Sequence, residues 1–180
     1  ASIYLIFLFN TKIHIKKDLE ELNIGASIIG EIPSINEGES KLFKNPEDRN
    51  ILAESFRILT SNLNYLSPTS TDNSSGKVIL STSTIKGEGK TFVAMNISLS
   101  IASLDKKVLL IGADLRNPQL HKYLSVNKQT EGLTSYLMDL NFDWQSTILN
   151  KFEHLPNHST LLAGIMPPNP AQLLSNGNFE

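Results

Sequence analysis

The chain has 180 residues, of which 40% are hydrophobic and 19% charged, so it can bury a sizeable core and is not typical of a disordered protein. Its formal net charge of -2 gives no general electrostatic attraction to nucleic acid. The absence of cysteine excludes disulfides and thiolate chemistry, and it suits a cytosolic location.

The first element is the apolar run from Ile3 to Phe9, just after Ala1. This run is far too short to span a bilayer, which needs about 20 residues. It also lacks the basic region and the small-residue cleavage site of a signal peptide. From these residues alone, it is either an ordinary buried strand or helix start, or the cut end of a membrane helix.

Short elements and a linker are predicted next. The charged stretch from Lys16 to Leu22 predicts a short helix, and Ala26 to Pro33 predicts a strand that proline closes. Residues 34 to 44 are polar and predict a linker.

A well-marked helix is predicted after this linker. Asn45 suits its N-cap, Pro46 suits the first helical position, and two acidic residues suit the positive end of the helix dipole. The helix should bury one face, because apolar residues recur every three or four positions, at Leu52, Phe56, Leu59, Leu63 and Leu66.

The pattern then changes to strand, helix and strand. Val78 to Leu80 predicts a short strand, Thr91 to Leu104 a helix, and Val108 to Ile111 a second strand. The second strand is continuously apolar, which is typical of a parallel sheet covered by helices. The three elements predict a βαβ unit with a right-handed crossover. Later elements are a helix at 132–140, a strand at 160–163 and a helix start at 171–174.

The turn between the first strand and its helix predicts a phosphate site. Residues 84 to 91 fit the P-loop template G-x-x-x-x-G-K-[ST], except that Thr84 replaces the first glycine. Gly87 and Gly89 would let the backbone curl so that its N–H groups point at phosphate oxygens. Lys90 would place a cation on the β- and γ-phosphates, and the Thr91 hydroxyl would ligate Mg²⁺. The predicted nucleotide-binding residues are Gly87, Glu88, Gly89, Lys90, Thr91 and Phe92.

This turn also has a plainer interpretation, as a glycine-rich turn with a solvated lysine. The flanking strand and helix favour the phosphate site. The sequence therefore predicts an α/β fold of the P-loop NTPase type, with a mostly parallel sheet flanked by helices.

A carboxylate is predicted beside the phosphates. Asp114 follows the second strand, and ligands of open α/β sheets gather at the carboxyl ends of strands. Asp114 is therefore placed to reach a Mg²⁺ ion, directly or through water. The alternative is an aspartate that caps a helix or a loop.

Taken together, these motifs resemble the cytoplasmic domain of the bacterial protein-tyrosine kinases (BY-kinases) that accompany polysaccharide co-polymerases. The residues from Asn10 to Pro33 resemble the segment after the family's second membrane helix. The other matching pieces are Glu54 to Leu59 for the interface motif E-x-x-R-x-x-R, Ser83 to Thr91 for Walker A, Leu109 to Pro118 for Walker A′, and Ala163 to Leu174 for A-G-x-x-P-P-N-P-x-E-L-L.

The resemblance implies ATP and Mg²⁺ as cofactors and phosphoryl transfer to tyrosine hydroxyls. It implies catalytic roles for Lys90 and Asp114, metal ligation by Thr91 and Asp114, and an oligomer interface at Glu54 and Arg57. It divides the chain into a juxtamembrane segment and linker (1–44) and a nucleotide-binding kinase domain (45–180), truncated before Walker B.

The resemblance also implies partners and a location. The partners are a C-terminal tyrosine tail or a neighbouring subunit, the polysaccharide polymerase and export machinery, and the membrane through a preceding helix, but not nucleic acid. The location is the cytoplasmic face of the bacterial inner membrane. The run ending at Phe9 then resembles the stub of a membrane helix.

Four departures from the family pattern accompany this resemblance. Gly112 stands in place of the first Walker A′ aspartate, and Thr60 in place of the third charged residue of the interface motif. The sequence ends at Glu180 before the expected Walker B strand and the tyrosine tail. From these departures we expect a fragment of a longer protein, or a variant that has lost activity. Because glycine offers no base or ligand and should loosen the strand end, we also expect the chain to bind nucleotide better than it turns it over.

Two alternatives to an active kinase stay open. The chain could be a nucleotide-binding regulator or scaffold of polysaccharide assembly that transfers phosphate poorly. It could also be a partition-type P-loop ATPase, but that class predicts a signature lysine where Ile85 stands.

Overall fold

The computed structural model describes residue 13 and residues 16–22, 25–35, 41–66 and 76–175. The predictions for the run from Ile3 to Phe9 lie outside these residues. Every helix within these ranges is too short or too polar to cross a membrane. In chain order, the elements are α1 Lys16–Glu21, α2 Ile51–Leu66, α3 Lys90–Ala102, β1 Val108–Ile111, α4 Leu120–Leu124, α5 Leu133–Met138, a 3-10 helix Trp144–Thr147, β2 His158–Leu161 and α6 Pro170–Leu174.

Strands β1 and β2 pair in parallel, with Val108 opposite His158 and Ile111 opposite Leu161. The bounds of β1 are those that its continuous apolar run predicted. Helices α4 and α5 lie in the crossover between the two strands. The α/β fold class, a parallel sheet with flanking helices, is therefore confirmed.

Helix α3 is the centre of the main core. Met95 and Leu99 are fully buried, and they pack with residues from α2, α4 and the segment before α2. That segment contributes Leu42 and Phe43, which are only 6% and 1% exposed although the sequence placed them in a polar linker. A second core cluster forms around α5, β2 and α6, from Leu115, Leu133, Leu137, Leu161, Ala163 and Leu173.

Helix α2 starts later than its sequence predicted. The Asn50 side chain caps it by accepting a hydrogen bond from the Ala53 N–H at 2.8 Å. The predicted cap, Asn45, instead closes a turn, because its side chain accepts from the Glu47 N–H at 2.9 Å. The prediction of Asn45 as the N-cap was wrong, whereas the predicted buried face holds at Leu52, Phe56 and Leu59.

Two predicted strands are absent from the described residues. The segment from Val78 to Leu80 pairs with no described strand, and those two residues are 97% and 84% exposed. The segment 26–33 runs against α2 instead of joining a sheet: the Asn62 side chain donates to the Ile29 carbonyl at 2.8 Å. A strand needs a partner, and apolar content alone does not supply one.

Candidate nucleotide-binding site

The phosphate loop owes its shape to two glycines with left-handed backbone. Gly87 has φ 98° and Gly89 has φ 93°, and Gly89 is the N-cap of α3. No atom lies within 4 Å of a Cβ built on either glycine, so the dihedral angle, and not crowding, requires glycine there. The chain can thus turn sharply into the helix.

The loop presents unused backbone donors. None of the residues that the structure describes accepts a hydrogen bond from the backbone N–H groups of Gly87 to Thr91. The first N–H groups of a helix have no partner within it, and α3 is a 13-residue helix whose dipole favours an anion at this end. This donor set fits the phosphate groups of a nucleotide.

The side chain of Glu88 is turned back onto the loop. Its Oε2 atom accepts hydrogen bonds from the Thr84 N–H at 2.9 Å and from the Ile85 N–H at 3.1 Å. The sequence named Glu88 only as a member of the phosphate loop and did not indicate this contact.

Lys90 and Asp114 form an ion pair beside the loop, with 2.8 Å between Nζ and Oδ2. Their side chains are 32% and 34% exposed, so both are accessible from solvent. Burial alone would raise the pKa of Asp114, but the Lys90 ammonium and the N–H groups of Asn117 and Arg116 outweigh it and lower that pKa. The carboxylate is therefore ionised at neutral pH, next to the loop lysine.

The metal ligands predicted from the sequence are few. Thr91 lies half-buried in the first turn of α3, and the described residues contain no group of three His, Cys, Asp or Glu side chains that could hold a metal ion. Mg²⁺ usually takes one or two protein ligands and completes its shell with phosphate oxygens and water. Thr91 and Asp114 are suitable oxygen donors for such an ion.

Phe92 directs its ring away from the loop. The ring meets the Phe56 ring edge-on, with 5.7 Å between centroids, in the contact between α3 and α2. Of Phe92, only the backbone therefore lies beside the phosphate loop, where the sequence predicted a nucleotide contact.

Gly112 occupies a crowded position. Its N–H donates to the Leu161 carbonyl at 2.9 Å, which continues the β1–β2 ladder. A Cβ there would lie 3.0 Å from both the Ala163 backbone nitrogen and Leu120 Cδ1. The expectation of a loosened strand end was wrong, because glycine here permits the close approach of two backbones.

The predicted interface residues differ in their surroundings. The Arg57 guanidinium donates to the Pro46 and Asp48 carbonyls at 2.6 Å each, and it lies over the Phe43 ring at 5.0 Å. Glu54 accepts from Arg57 at 3.1 Å but is 61% exposed. Arg57 is thus engaged within its own chain, and Glu54 faces solvent.

Thr60, at the third motif position, is buried and not on the surface. It is 1% exposed and its hydroxyl donates to Ser100 Oγ at 3.0 Å. A charged residue at this position would have to enter the contact between α2 and α3.

The sequence did not indicate the role of Asn96, which is fully buried in α3. Its Oδ1 accepts from the Phe43 N–H at 2.7 Å. Its Nδ2 donates to the carbonyls of Lys41 at 3.1 Å and Phe92 at 3.0 Å. A polar residue between apolar helix positions was the only signal, and it does not identify the partners.

Comparison with curated proteins finds bacterial tyrosine-protein kinases. Tyrosine-protein kinase YwqD of Bacillus subtilis is 36% identical over 130 residues, which cover 72% of this chain and 52% of YwqD. Tyrosine-protein kinase CpsD of Streptococcus agalactiae is 35% identical over 104 residues, which cover 58% of this chain and 44% of CpsD. The chain spans about half the length of these relatives. No family model matches the chain.

Solved structures also resemble the fold. The chimerical protein CapA2B2 superposes with a TM-score of 0.75 at 26% identity, covering 92% of this chain and 67% of the other. The kinase domain of Escherichia coli tyrosine kinase ETK gives a TM-score of 0.70 at 26% identity, covering 92% of this chain and 65% of the other. The arrangement around the phosphate loop therefore lies within a fold that solved kinase domains share.

Proposed function

We propose that this chain, as a member of the bacterial protein-tyrosine kinase (BY-kinase) family, binds MgATP for phosphoryl transfer to tyrosine hydroxyls. The observation that carries the proposal is the contact of Lys90 with Asp114, at 2.8 Å, beside the unused donors of the loop. Phosphoryl transfer depends mainly on positioning and charge neutralisation, which is the chemistry that these groups offer.

In this proposal each group has a separate role. The N–H groups from Gly87 to Thr91 bind phosphate oxygens, and Lys90 neutralises the β- and γ-phosphates. Thr91 Oγ1 and the Asp114 carboxylate would hold Mg²⁺, which supplies further charge neutralisation when bound.

The ionised state of Asp114 suits metal binding, because a carboxylate is a good oxygen ligand for a hard cation. Gly112 supplies no second carboxylate at this strand end. We therefore propose that the chain binds nucleotide better than it turns it over, which keeps the regulator or scaffold as the second candidate function.

We extend the proposal to a biological setting that follows from the family. The chain would act in exopolysaccharide or capsule polymerisation and export, at the cytoplasmic face of the bacterial inner membrane, anchored through a preceding helix. Its phosphoacceptor would be a C-terminal tyrosine tail or a neighbouring subunit, and its partner the polymerase and export machinery. In this setting, residues 1–44 would lead from the membrane to the kinase domain at 45–180.

A partition-type ATPase is disfavoured by Ile85, which stands at the position of that class's signature lysine. Ile85 is 66% exposed and offers no charge to a nucleotide.

Calorimetric titration with MgATP tests the proposal. Lys90→Ala should weaken binding by about tenfold or more, because a charge-assisted contact with phosphate is lost. Lys86→Ala is the matched control, since Lys86 is an exposed lysine of the same loop, and it should change the affinity by less than about threefold. Equal effects of the two substitutions would contradict the assigned role of Lys90.

A further inference from the structure

Glu88 places a negative charge in a loop that is built to receive anions. A free carboxylate there would repel the phosphate groups of a nucleotide. In this structure the carboxylate is instead held by the Thr84 and Ile85 N–H groups, through a single oxygen, at 2.9 and 3.1 Å. Its charge is thereby directed at the beginning of the loop.

We propose that Glu88 is a positioning residue, whose side chain fixes the first half of the phosphate loop. The inference rests on the proposed function insofar as the loop takes a nucleotide. Thr84 replaces the first glycine of the P-loop template, so a different interaction must fix the backbone at this point. The two backbone N–H groups that donate to one carboxylate oxygen of Glu88 provide this interaction.

The division of donors along the loop supports this role. Glu88 uses the N–H groups of Thr84 and Ile85, whereas none of the described residues accepts from the N–H groups of Gly87 to Thr91. The Glu88 side chain thus occupies the N–H groups of Thr84 and Ile85 and leaves the N–H groups from Gly87 to Thr91 to a ligand. Without that side chain, the N–H groups of Thr84 and Ile85, which are both exposed residues, would have only water as a hydrogen-bond acceptor.

Two substitutions separate the hydrogen bonds from the charge. Glu88→Gln keeps an oxygen acceptor and removes the charge, whereas Glu88→Ala removes both. In MgATP titrations, Glu88→Gln should bind within about threefold of the wild type or more tightly, and Glu88→Ala about tenfold more weakly than Glu88→Gln. Glu153→Ala, at an exposed glutamate outside the loop, should bind like the wild type.

Amide hydrogen exchange without nucleotide tests the same contact independently. The Thr84 and Ile85 amides should exchange about tenfold faster in Glu88→Ala than in Glu88→Gln, at equal global stability. If the wild type fails to bind MgATP, the proposed function fails, while the exchange rates still decide whether Glu88 orders the loop. Unchanged exchange, or equal affinities of the two variants, would overturn the inference. Tighter binding by Glu88→Ala than by Glu88→Gln would also overturn it, because the side chain would then compete with phosphate.

Discussion

Ser98 of α3 and His158 of β2 share a buried hydrogen bond, with 2.8 Å between Ser98 Oγ and His158 Nε2. The Ser98 hydroxyl donates its hydrogen to the Met95 carbonyl at 2.7 Å, so the histidine Nε2 must be the donor. Its Nδ1 then has no hydrogen-bond partner among the described residues. Burial lowers the pKa of His158 to about 4, because the site cannot solvate an imidazolium.

This histidine should make the free energy of unfolding depend on pH. Between about pH 6.5 and pH 4, the unfolded chain takes up a proton at His158 that the folded chain does not. The contribution of neutral His158 to the free energy of unfolding is therefore complete above pH 6.5. As the pH falls toward 4, the free energy of unfolding decreases by about 3 kcal/mol in all. Urea unfolding at a series of pH values measures this loss.

A matched pair of histidine variants identifies its source. His158→Gln should remove most of this pH dependence, whereas His154→Gln, at an exposed histidine, should retain it. If His154→Gln also flattened the profile, the loss would have to be attributed to other groups.

Gly112→Asp introduces the first aspartate of the Walker A′ pattern but should not raise phosphotransfer. The new Cβ would lie 3.0 Å from Leu120 Cδ1 and from the Ala163 backbone nitrogen, and the backbone has little freedom to move. We expect a loss of about 1–3 kcal/mol of stability in urea unfolding, and no gain in phosphotyrosine formation with MgATP.

Gly112→Ala is the control for this experiment, since it adds the Cβ without the carboxylate. It should lose a similar amount of stability. A Gly112→Asp protein as stable as the wild type, with raised phosphotransfer, would show that the glycine is a repairable catalytic lesion.

Asn96→Ala should destabilise the fold strongly. The substitution leaves the buried Phe43 N–H without its acceptor and removes the side-chain donor to the Lys41 and Phe92 carbonyls. We expect a loss of about 2–4 kcal/mol, measured by urea unfolding. Asn62→Ala, which removes one exposed hydrogen bond to Ile29, should lose less than about 1 kcal/mol. Similar losses in both variants would contradict a special role for Asn96.

Arg57→Ala should act on stability more than on association. Arg57 donates to two carbonyls and lies over the Phe43 ring, so its removal should lose about 1–3 kcal/mol. Glu54→Ala, at the exposed end of the same ion pair, should lose less than about 1 kcal/mol.

We expect the wild type to be a monomer or a loose oligomer in light scattering, because Arg57 already has partners and Thr60 is buried. A stable ring at micromolar concentration that Arg57→Ala dissolves would refute this prediction.

Sequence predicted the elements whose signals are local. The continuous apolar run gave the bounds of β1, and the helix start predicted at 171–174 lies within α6, which the Asn169 side chain caps by accepting from the Gln172 N–H at 3.3 Å. The predicted cap of α2 and its actual cap show the limit of such local signals. Asn45 and Asn50 are the same residue type, and distant contacts decide between them: Arg57 binds the carbonyls that follow Asn45 and so stabilises a turn there.

The residues of the candidate site also fall into those that local sequence signals located and those that they did not. A short motif located Lys90, and the end of a strand located Asp114; the structure brings both together. The turned-back side chain of Glu88, the crowding at Gly112 and the partners of Asn96 depend on backbone approaches between distant segments. No spacing in the sequence encodes those approaches.

The bonds of Asn96 have a mechanical consequence. Asn96 lies six residues into α3 from Lys90, about 9 Å along the helix axis. It grips the chain at Lys41 and Phe43, upstream of α2. A force on the chain ahead of Lys41 is therefore transmitted through these hydrogen bonds to the helix that begins at the phosphate loop. The hydrogen bonds thus couple the position of the segment that enters the domain to the position of the loop.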